Sequence, residues 1–345
     1  MSKPIQQVQG KRVLSGIRAT GRLHLGNYLG AVKGFLELAQ SGDPSTPVGR
    51  SGQLYETFYM VADLHAITTP YDTKTLSSNA RSVVMDYLAA GLDPDKSTIF
   101  IQSYVKEHIE LAYLFSTVVS VARMQHLPTF KEKVKQHPEA VTMALLNYPV
   151  LMAADILVYK AGLVPVGIDQ EPHLEIAREI ARKMNEKYGT DFPEPQRFAT
   201  PGQYVPSLTG EGKMSKSVEG SYINLTDSLE EIKEKLAKAP TDEGKGGNVP
   251  TQGGVASLLT FVELFQGADK RAEYEKQYTG TGIQYRGLKE ELAQAIYDEI
   301  KPIQERRKAL ESNPKLVDDV IAEGAERASR VASQTLAEVK RAMGL

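Results

Sequence analysis

Apolar residues along the chain fall alternately into short runs and into helical periods. Runs at 13–18, 54–62, 98–102 and 163–167 have the length and flanking turn residues of buried strands. Spacings of three to four residues predict helices at about 28–40, 74–90, 108–121, 141–160 and 172–188. Strand and helix taking turns in this way predict an α/β fold with a doubly wound parallel sheet. From about residue 226 the strand signal fades, and helices are expected one after another at 228–238, 254–266, 288–311 and 314–343. Residues 41–53 read as a polar Pro/Gly/Ser surface insertion and Pro240–Gly254 as a glycine-rich, charged break between helices.

The first strand leads into His24-Leu25-Gly26-Asn27, and the apolar spacing from Tyr28 to Leu36 makes this run the opening of a helix. Free N–H groups at a helix start favour anions, and Gly16, Gly21 and Gly26 leave room for a nucleotide against the backbone. His24 is then set to hydrogen-bond a phosphate. Taken alone, the run reads equally well as a tight strand-to-helix turn with a surface histidine. Lys213-Met214-Ser215-Lys216-Ser217 follows a Pro/Gly-rich stretch and has no period of its own, so it belongs to an exposed loop. Its two lysines, three apart with a small hydroxyl residue between, suit a polyphosphate whose leaving-group charge grows. Met214 offers an adaptable apolar surface to a base.

Composition narrows the function classes. At 345 residues with 41% apolar content the chain has material for two domains and a substantial core. The absence of cysteine excludes disulfides, thiolate metal sites and cysteine nucleophiles. The first residues lack the apolar stretch of a signal peptide and no segment is long enough to span a bilayer, so a cytoplasmic protein with no membrane partner is expected. With a net charge of −2, a nucleic acid must be held by local patches. Lys131-Glu132-Lys133-Val134-Lys135 and Arg306-Arg307-Lys308 are the candidates, although solvated helix faces are the plainer reading of both.

The middle of the chain carries the substrate signal. Asp155 sits within Asn147-Tyr148-Pro149-Val150-Leu151-Met152-Ala153-Ala154-Asp155-Ile156-Leu157, where an ionised carboxylate needs a specific partner. Such a group suits a ligand with one polar N–H or O–H on a large ring, or else pairs within the fold. Gln170 follows Val164-Pro165-Val166-Gly167-Ile168-Asp169 and suits an ammonium or carboxylate. His173 reads as a solvated helix residue, with no metal assigned to it.

These stretches occur in one order with Ala62-Asp63-Leu64-His65-Ala66-Ile67-Thr68, Thr129-Phe130-Lys131-Glu132-Lys133, Pro302-Ile303-Gln304-Glu305-Arg306 and Gly324-Ala325-Glu326-Arg327-Ala328. Together they resemble the tryptophanyl-tRNA synthetase family over essentially the whole chain. The resemblance implies a class I, Rossmann-like catalytic domain at 1–225 with its mobile lysine loop at 213–217. It implies a helical, anticodon-reading domain at 226–345, whose last helix packs back on the first, and a homodimer. The implied chemistry is activation of L-tryptophan by ATP with Mg²⁺, then transfer to tRNA(Trp). Position by position, Lys213, Lys216, His24 and Lys133 are implied in catalysis. Thr20, Gly21, His24, Gly26, Asn27, Gly167, Asp169, Met214, Ser215 and Lys216 are implied in holding ATP. Leu14, Gly16, His65, Tyr148, Met152, Asp155, Ile156, Val164, Val166 and Gln170 are implied in the indole and α-amino pocket, with Asp155 accepting the indole N–H. No protein metal ligands are implied.

The chain departs from the family in three places. Arg18-Ala19-Thr20-Gly21 stands where Gln-Pro-Ser-Gly or Arg-Pro-Thr-Gly is frequent, Leu14 where many members carry Phe, and Gly202 to Leu208 lacks a common arginine. Tyrosyl-tRNA synthetases share the fold and both ATP motifs, but place a tyrosine in or just after the first strand, where this chain has Val13-Leu14-Ser15-Gly16-Ile17. A non-catalytic nucleotide-binding paralogue is the second alternative, and the presence of His24, Lys213 and Lys216 argues against it.

Overall fold

The computed structural model describes residues 12–40, 55–136, 138–199, 204–216 and 218–345; the 41–53 insertion and Ser217 lie outside the described residues. In chain order the elements begin with β1 (Arg12–Arg18), the single turn α1 (Leu25–Asn27), a π-turn (Tyr28–Val32) and α2 (Lys33–Gln40). β2 (Glu56–Ala62), α3 (Asp63–Ala66), α4 (Leu76–Ala90), β3 (Ser97–Ile101) and α5 (Glu107–Phe115) come next. Then follow α6 (Val121–Gln125), α7 (Pro128–Gln136), α8 (Met143–Leu157), β4 (Leu163–Pro165), α9 (Glu171–Tyr188) and β5 (Gln196–Phe198). The remainder is helical: α10 (Leu229–Ala237), α11 (Gly253–Gln266), α12 (Ala268–Thr279), α13 (Tyr285–Glu311) and α14 (Pro314–Met343). By contact the chain forms two units. One comprises the described part of Met1–Gly21, Gly34–Ala199 and Asn313–Leu345; the other comprises Arg22–Lys33 and the described part of Thr200–Ser312.

In the first unit all strand pairs are parallel, in the order β3-β2-β1-β4-β5. The order reverses between β1 and β4, and in open α/β sheets ligands bind outside the carboxyl ends of the strands at such a switch point. Ser15 Oγ donates to Pro165 O (2.7 Å) and ties the two strands together there. Phe58, Met60, Phe100, Val150, Ile156, Leu157, Val164 and Leu174 fill a core shared by sheet and helices. Buried residues of α14 recur at Val317, Val320, Ile321, Ala325, Ala328, Ala332, Leu336 and Val339, the spacing of one helix face. That face meets the outer edge of β3: a Cβ on Gly324 would lie 1.7 Å from Ile99 O, and Arg327 donates to Pro94 O (3.0 Å). A helix laid so closely removes an open strand edge from solvent.

The second unit is built on α10–α13. Ser228 and Glu231 cap α10 reciprocally, Glu231 Oε2 taking the Ser228 N–H (2.7 Å) and Ser228 Oγ the Glu231 N–H (3.2 Å). Val255, Leu258, Leu259, Phe261 and Val262 of α11 and Leu288, Leu292, Ile296 and Ile300 of α13 supply its core. The glycine-rich break is held by Asp242, which accepts from the hydroxyls of Tyr278 and Tyr285 (2.6 Å each) and from Gly244 N–H (2.8 Å).

Several elements differ from expectation, each for a local reason. The helix expected over 108–121 ends at Phe115, because Ser116 Oγ and Thr117 Oγ1 turn back onto Ala112 O (2.8 Å) and Leu114 O (2.7 Å). The chain restarts at Val121 behind an N-cap, Ser120. Helix α7 has no buried residue and α12 buries only two tyrosines, so neither announces itself by an apolar stripe. β5 is three residues long, with no buried member.

Candidate functional site

In the first unit, the turns after β2 and β3 are fastened to each other before they hold anything else. The Asp63 carboxylate accepts from Leu64 N–H (3.0 Å), Ser103 N–H (2.9 Å) and Ser103 Oγ (2.5 Å). Gln102 Oε1 accepts from Leu64 N–H (3.1 Å). These bonds fix α3, and with it His65, while the amide of Gln102 faces α8.

Asp155, 1% exposed on α8, receives the donors so arranged. Gln102 Nε2 (2.7 Å) and His108 Nδ1 (2.6 Å) donate to Oδ1, and His65 Nε2 (2.7 Å) donates to Oδ2. An ionised carboxylate only accepts, so His108 carries a proton on Nδ1; the neutral ring then accepts at Nε2 from the Tyr159 hydroxyl (2.8 Å). Burial pushes the Asp155 carboxyl up, yet the charge of His65 and the hydrogen bonds from His108 and His65 outweigh it and hold the group at about 2. Among the described residues Oδ1 has two donors and Oδ2 has one, and a carboxylate oxygen has room for two.

A second hydrogen-bonded row runs beside it. Gln170 Nε2 donates to Asp169 Oδ2 (2.7 Å), which turns Gln170 Oε1 toward His173 Nδ1 (2.9 Å). His173 Nε2 then has Tyr148 Oη at 2.9 Å and Thr129 Oγ1 at 3.0 Å, and its single lone pair accepts from one of these two hydroxyls. Tyr148 lies edge-on to His65, ring centres 6.4 Å apart. His173 is thus a correction to the sequence reading: it is buried rather than solvated, and joins Tyr148 to Gln170. Burial, then the charge of His65, lower it to about 4.

In the second unit His24 precedes α1, and its backbone N–H is taken by Asn27 Oδ1 (3.2 Å). Leu25 N–H donates to Ile223 O (2.9 Å) and Leu225 N–H to Leu23 O (3.1 Å), so the run is docked against 223–225. The His24 ring lies over Gly26, where a Cβ would come within 2.9 Å of Nδ1. Gly26 N–H points to Met214 Sδ (3.3 Å). The lysine loop is anchored by Met214 N–H to Val205 O (2.9 Å), and Lys216 Nζ donates to Arg22 O. Burial, then the charges of Lys216 and Lys213, lower His24 to about 4, so it is neutral at physiological pH. His24 Nδ1 is buried without a hydrogen-bond partner. An unpartnered polar atom next to two ammonium groups and a helix start fits a phosphate oxygen.

His24 and His173 make the chain acid-sensitive. Both hold about 4 in the fold against an ordinary 6.5, so an unfolded chain takes up these protons first. Their stabilisation is complete above pH 6.5 and is lost as pH falls toward 4, on the order of 2–3 kcal/mol each. Urea unfolding followed from pH 7 to pH 4.5 should show this fall, and His173→Gln should lessen it. An unchanged pH dependence in the variant would remove His173 from the explanation.

The other expected site residues divide by surroundings. Leu14, Ile156 and Val164 are core residues, whereas Met152 and Val166 are half-buried at its margin. Gly16 lacks a side chain for a reason of its own, since a Cβ would meet Met60 O on β2 at 2.7 Å. Lys133, half-buried on α7, is lowered by burial and by the charge of Arg18, which brings those two cations into one neighbourhood. Gly21 has a φ of +92°, while Thr20 and Asp169 are exposed and Gly167 half-buried. Of the basic runs, Lys131 and Lys135 are exposed; Arg307 is buried and donates to Glu311 (3.2 Å), leaving Arg306 and Lys308 outward. Sequence reading missed Gln102, His108, Tyr159, Asp63 and Thr129. Position was the available signal for Gln102, because polar residues just after a parallel strand belong to the binding end of the sheet. Among the described residues no three His, Asp or Glu side chains are grouped to hold a metal, and no helix is long and apolar enough to cross a membrane.

The first unit has the strand reversal between β1 and β4, and the second a helix-opening histidine beside a lysine loop; each is a feature of a nucleotide-using enzyme of the class I synthetase type. The model of the family described as tRNA synthetases class I (W and Y) matches residues 8–300, and the chain belongs to that family. The tryptophan–tRNA ligase of Porphyromonas gingivalis is 39% identical over 96% of this chain and 98% of its own length. The tryptophanyl-tRNA synthetase structure from Mycoplasma pneumoniae aligns with a TM-score of 0.82 and 31% identity, covering 98% of each chain. That from Campylobacter jejuni, complexed with ADP and tryptophan, gives 0.79 and 29% over 97% of this chain and 100% of its own. Within the family the chain stands with the tryptophan–tRNA ligases, not on the tyrosyl side.

Proposed function

We propose that this chain activates L-tryptophan with ATP, forming tryptophanyl-adenylate and pyrophosphate, and then transfers tryptophan to tRNA(Trp). The observation that carries the reading is the acceptor position left on Asp155 Oδ2, in a carboxylate that already accepts from Gln102, His108 and His65. An indole N–H completes it. Tyr148 and Gln170, locked through His173, receive the α-amino group. The substrate carboxylate attacks the α-phosphorus in line while the bond to pyrophosphate breaks, so the protein needs no nucleophile and acts by positioning and charge. Neutral His24 bonds a phosphate oxygen, Gly26 and Asn27 present the helix start, and Lys213, Lys216 and Lys133 stabilise the departing pyrophosphate. Mg²⁺ accompanies the nucleotide, whose phosphates supply oxygen ligands. Residues 1–225 are assigned to catalysis and 226–345 to a helical domain for the tRNA anticodon whose last helix, α14, packs back on the sheet, with Arg306 and Lys308 as outward cations on α13. The working compartment is the cytoplasm.

The chain contains no Trp, so bound substrate is the sole indole in the sample. Titrating tryptophan with the protein, excited where tyrosine absorbs little, should give a saturable blue shift as the ring is buried beside Met152 and Val166. Emission that stays that of free tryptophan up to millimolar concentration, with and without Mg-ATP, would remove the pocket.

The proposed assembly is a homodimer. Ile109 (54% exposed) and Tyr113 (75%), one turn apart on α5, and Met143 (73%), at the start of α8, are exposed apolar residues, while Leu111, Phe115 and Leu145 of the same stretches are used in the core. Sedimentation at micromolar concentration should give twice the chain mass of 37.9 kDa, and Tyr113→Glu should shift it toward the monomer. A monomeric wild-type chain overturns the proposal.

A further inference from the structure

Asp155 has two chemically different oxygens, because different side chains hold them. His108 and Gln102, which hold Oδ1, are both completely buried. His65, which holds Oδ2, keeps a 12% exposed side chain and faces the Tyr148 ring. One edge of the carboxylate is therefore turned into the protein and the other toward the pocket. His108 is itself fixed from behind. Tyr159, fully buried and stacked on Phe58 (ring centres 4.5 Å apart), gives its hydroxyl proton to His108 Nε2 and so keeps the ring proton on Nδ1.

We propose that His108, oriented by Tyr159, is a positioning residue for substrate selection: it fixes the Asp155 carboxylate so that Oδ2 alone is offered to a ring N–H. The inference rests on the reading of Asp155 as the indole acceptor. Without the Nδ1 donor the buried carboxylate has lost a partner that keeps it ionised and can turn about its own axis. It then ceases to distinguish a ring that brings an N–H from one that does not. Tyr159 acts one step further out. With its hydroxyl gone, His108 is free to adopt the other tautomer, whose Nδ1 lone pair opposes the carboxylate.

The test compares ATP–pyrophosphate exchange on tryptophan and on benzothienylalanine, in which sulfur replaces the ring N–H, in His108→Asn, His108→Leu, Tyr159→Phe and wild type. The asparagine amide nitrogen stands close to where Nδ1 stood and restores the donor, whereas leucine does not. Preference for tryptophan, as a ratio of kcat/KM values, should fall about tenfold or more in His108→Leu and be largely recovered in His108→Asn. Tyr159→Phe should lower the ratio by a smaller factor. A merely structural role would reduce folded protein but leave the ratio measured on that protein unchanged. An unchanged ratio in His108→Leu overturns the inference, as does equal loss in the leucine and asparagine variants. Should His108→Leu fail to fold, Tyr159→Phe and His108→Asn carry the test: the ratio must fall in the first and hold in the second. Wild type showing no preference for the N–H ring overturns the underlying reading of Asp155, a separate result from the failure of His108.

Discussion

Tryptophan should support ATP–pyrophosphate exchange by this chain, and phenylalanine should fall short of it by about 10⁴-fold in kcat/KM. The size follows from what an empty acceptor costs. A pocket that merely fits a ring discriminates weakly, because one methylene is worth about 1–3 kcal/mol. A pocket that keeps one acceptor position of a buried carboxylate for an N–H must leave that position unfilled when the wrong ring enters, and Asp155 is only 1% exposed. Tyrosine brings a hydroxyl but does not present it where an indole N–H lies, so it too should be rejected. The exchange assay run across the twenty amino acids checks this, and preferential exchange with tyrosine would sink the assignment. A chain that exchanged no amino acid at all would instead be the non-catalytic paralogue.

Lys216→Ala should lower the rate of activation by roughly 10²–10³ while tryptophan binding is kept. Negative charge accumulates on pyrophosphate only as its bond to the α-phosphorus breaks, so a cation directed there stabilises the transition state more than the bound substrates. In the structure Lys216 Nζ donates to the Arg22 carbonyl, within the segment that leads to His24, so the ammonium is already held beside the helix start. Pre-steady-state measurement separates the two effects. A variant that activated tryptophan at near wild-type rate would reduce the loop to a basic turn without a catalytic part.

How much of this was legible in the sequence depends on the range of the interactions concerned. β1 to β4 and helices α4, α8, α9, α11, α13 and α14 could be read because each buries a stripe whose period is local. α7 and α12 could not, since helices without a buried face are held by their neighbours rather than by their own pattern. The need of Asp155 for a partner was visible in its apolar surroundings. The identity of the partners was not, because Gln102, His108 and His65 are 53, 47 and 90 residues away along the chain. His173 was misread for the same reason. A helix beginning Glu171-Pro172-His173 looks polar at its start, and only the fold brings Tyr148 and Thr129 over it. The placing of Lys213 and Lys216 on a loop was legible at once, because the run has no period of its own.

The helix laid on β3 also dictates an order of events during synthesis. The edge of β3 that receives Gly324 is made more than two hundred residues before its cover, and a ribosome adds roughly 5–20 residues each second. For that interval the nascent sheet has an unpaired strand edge, the kind of surface on which chains aggregate. The donors to Asp155 include Gln102 in the turn after that same strand, so that side-chain cluster should settle only once residues 314–343 have left the exit tunnel. Messages cut short within this helix should yield chains that carry both nucleotide motifs intact and still fail as enzymes.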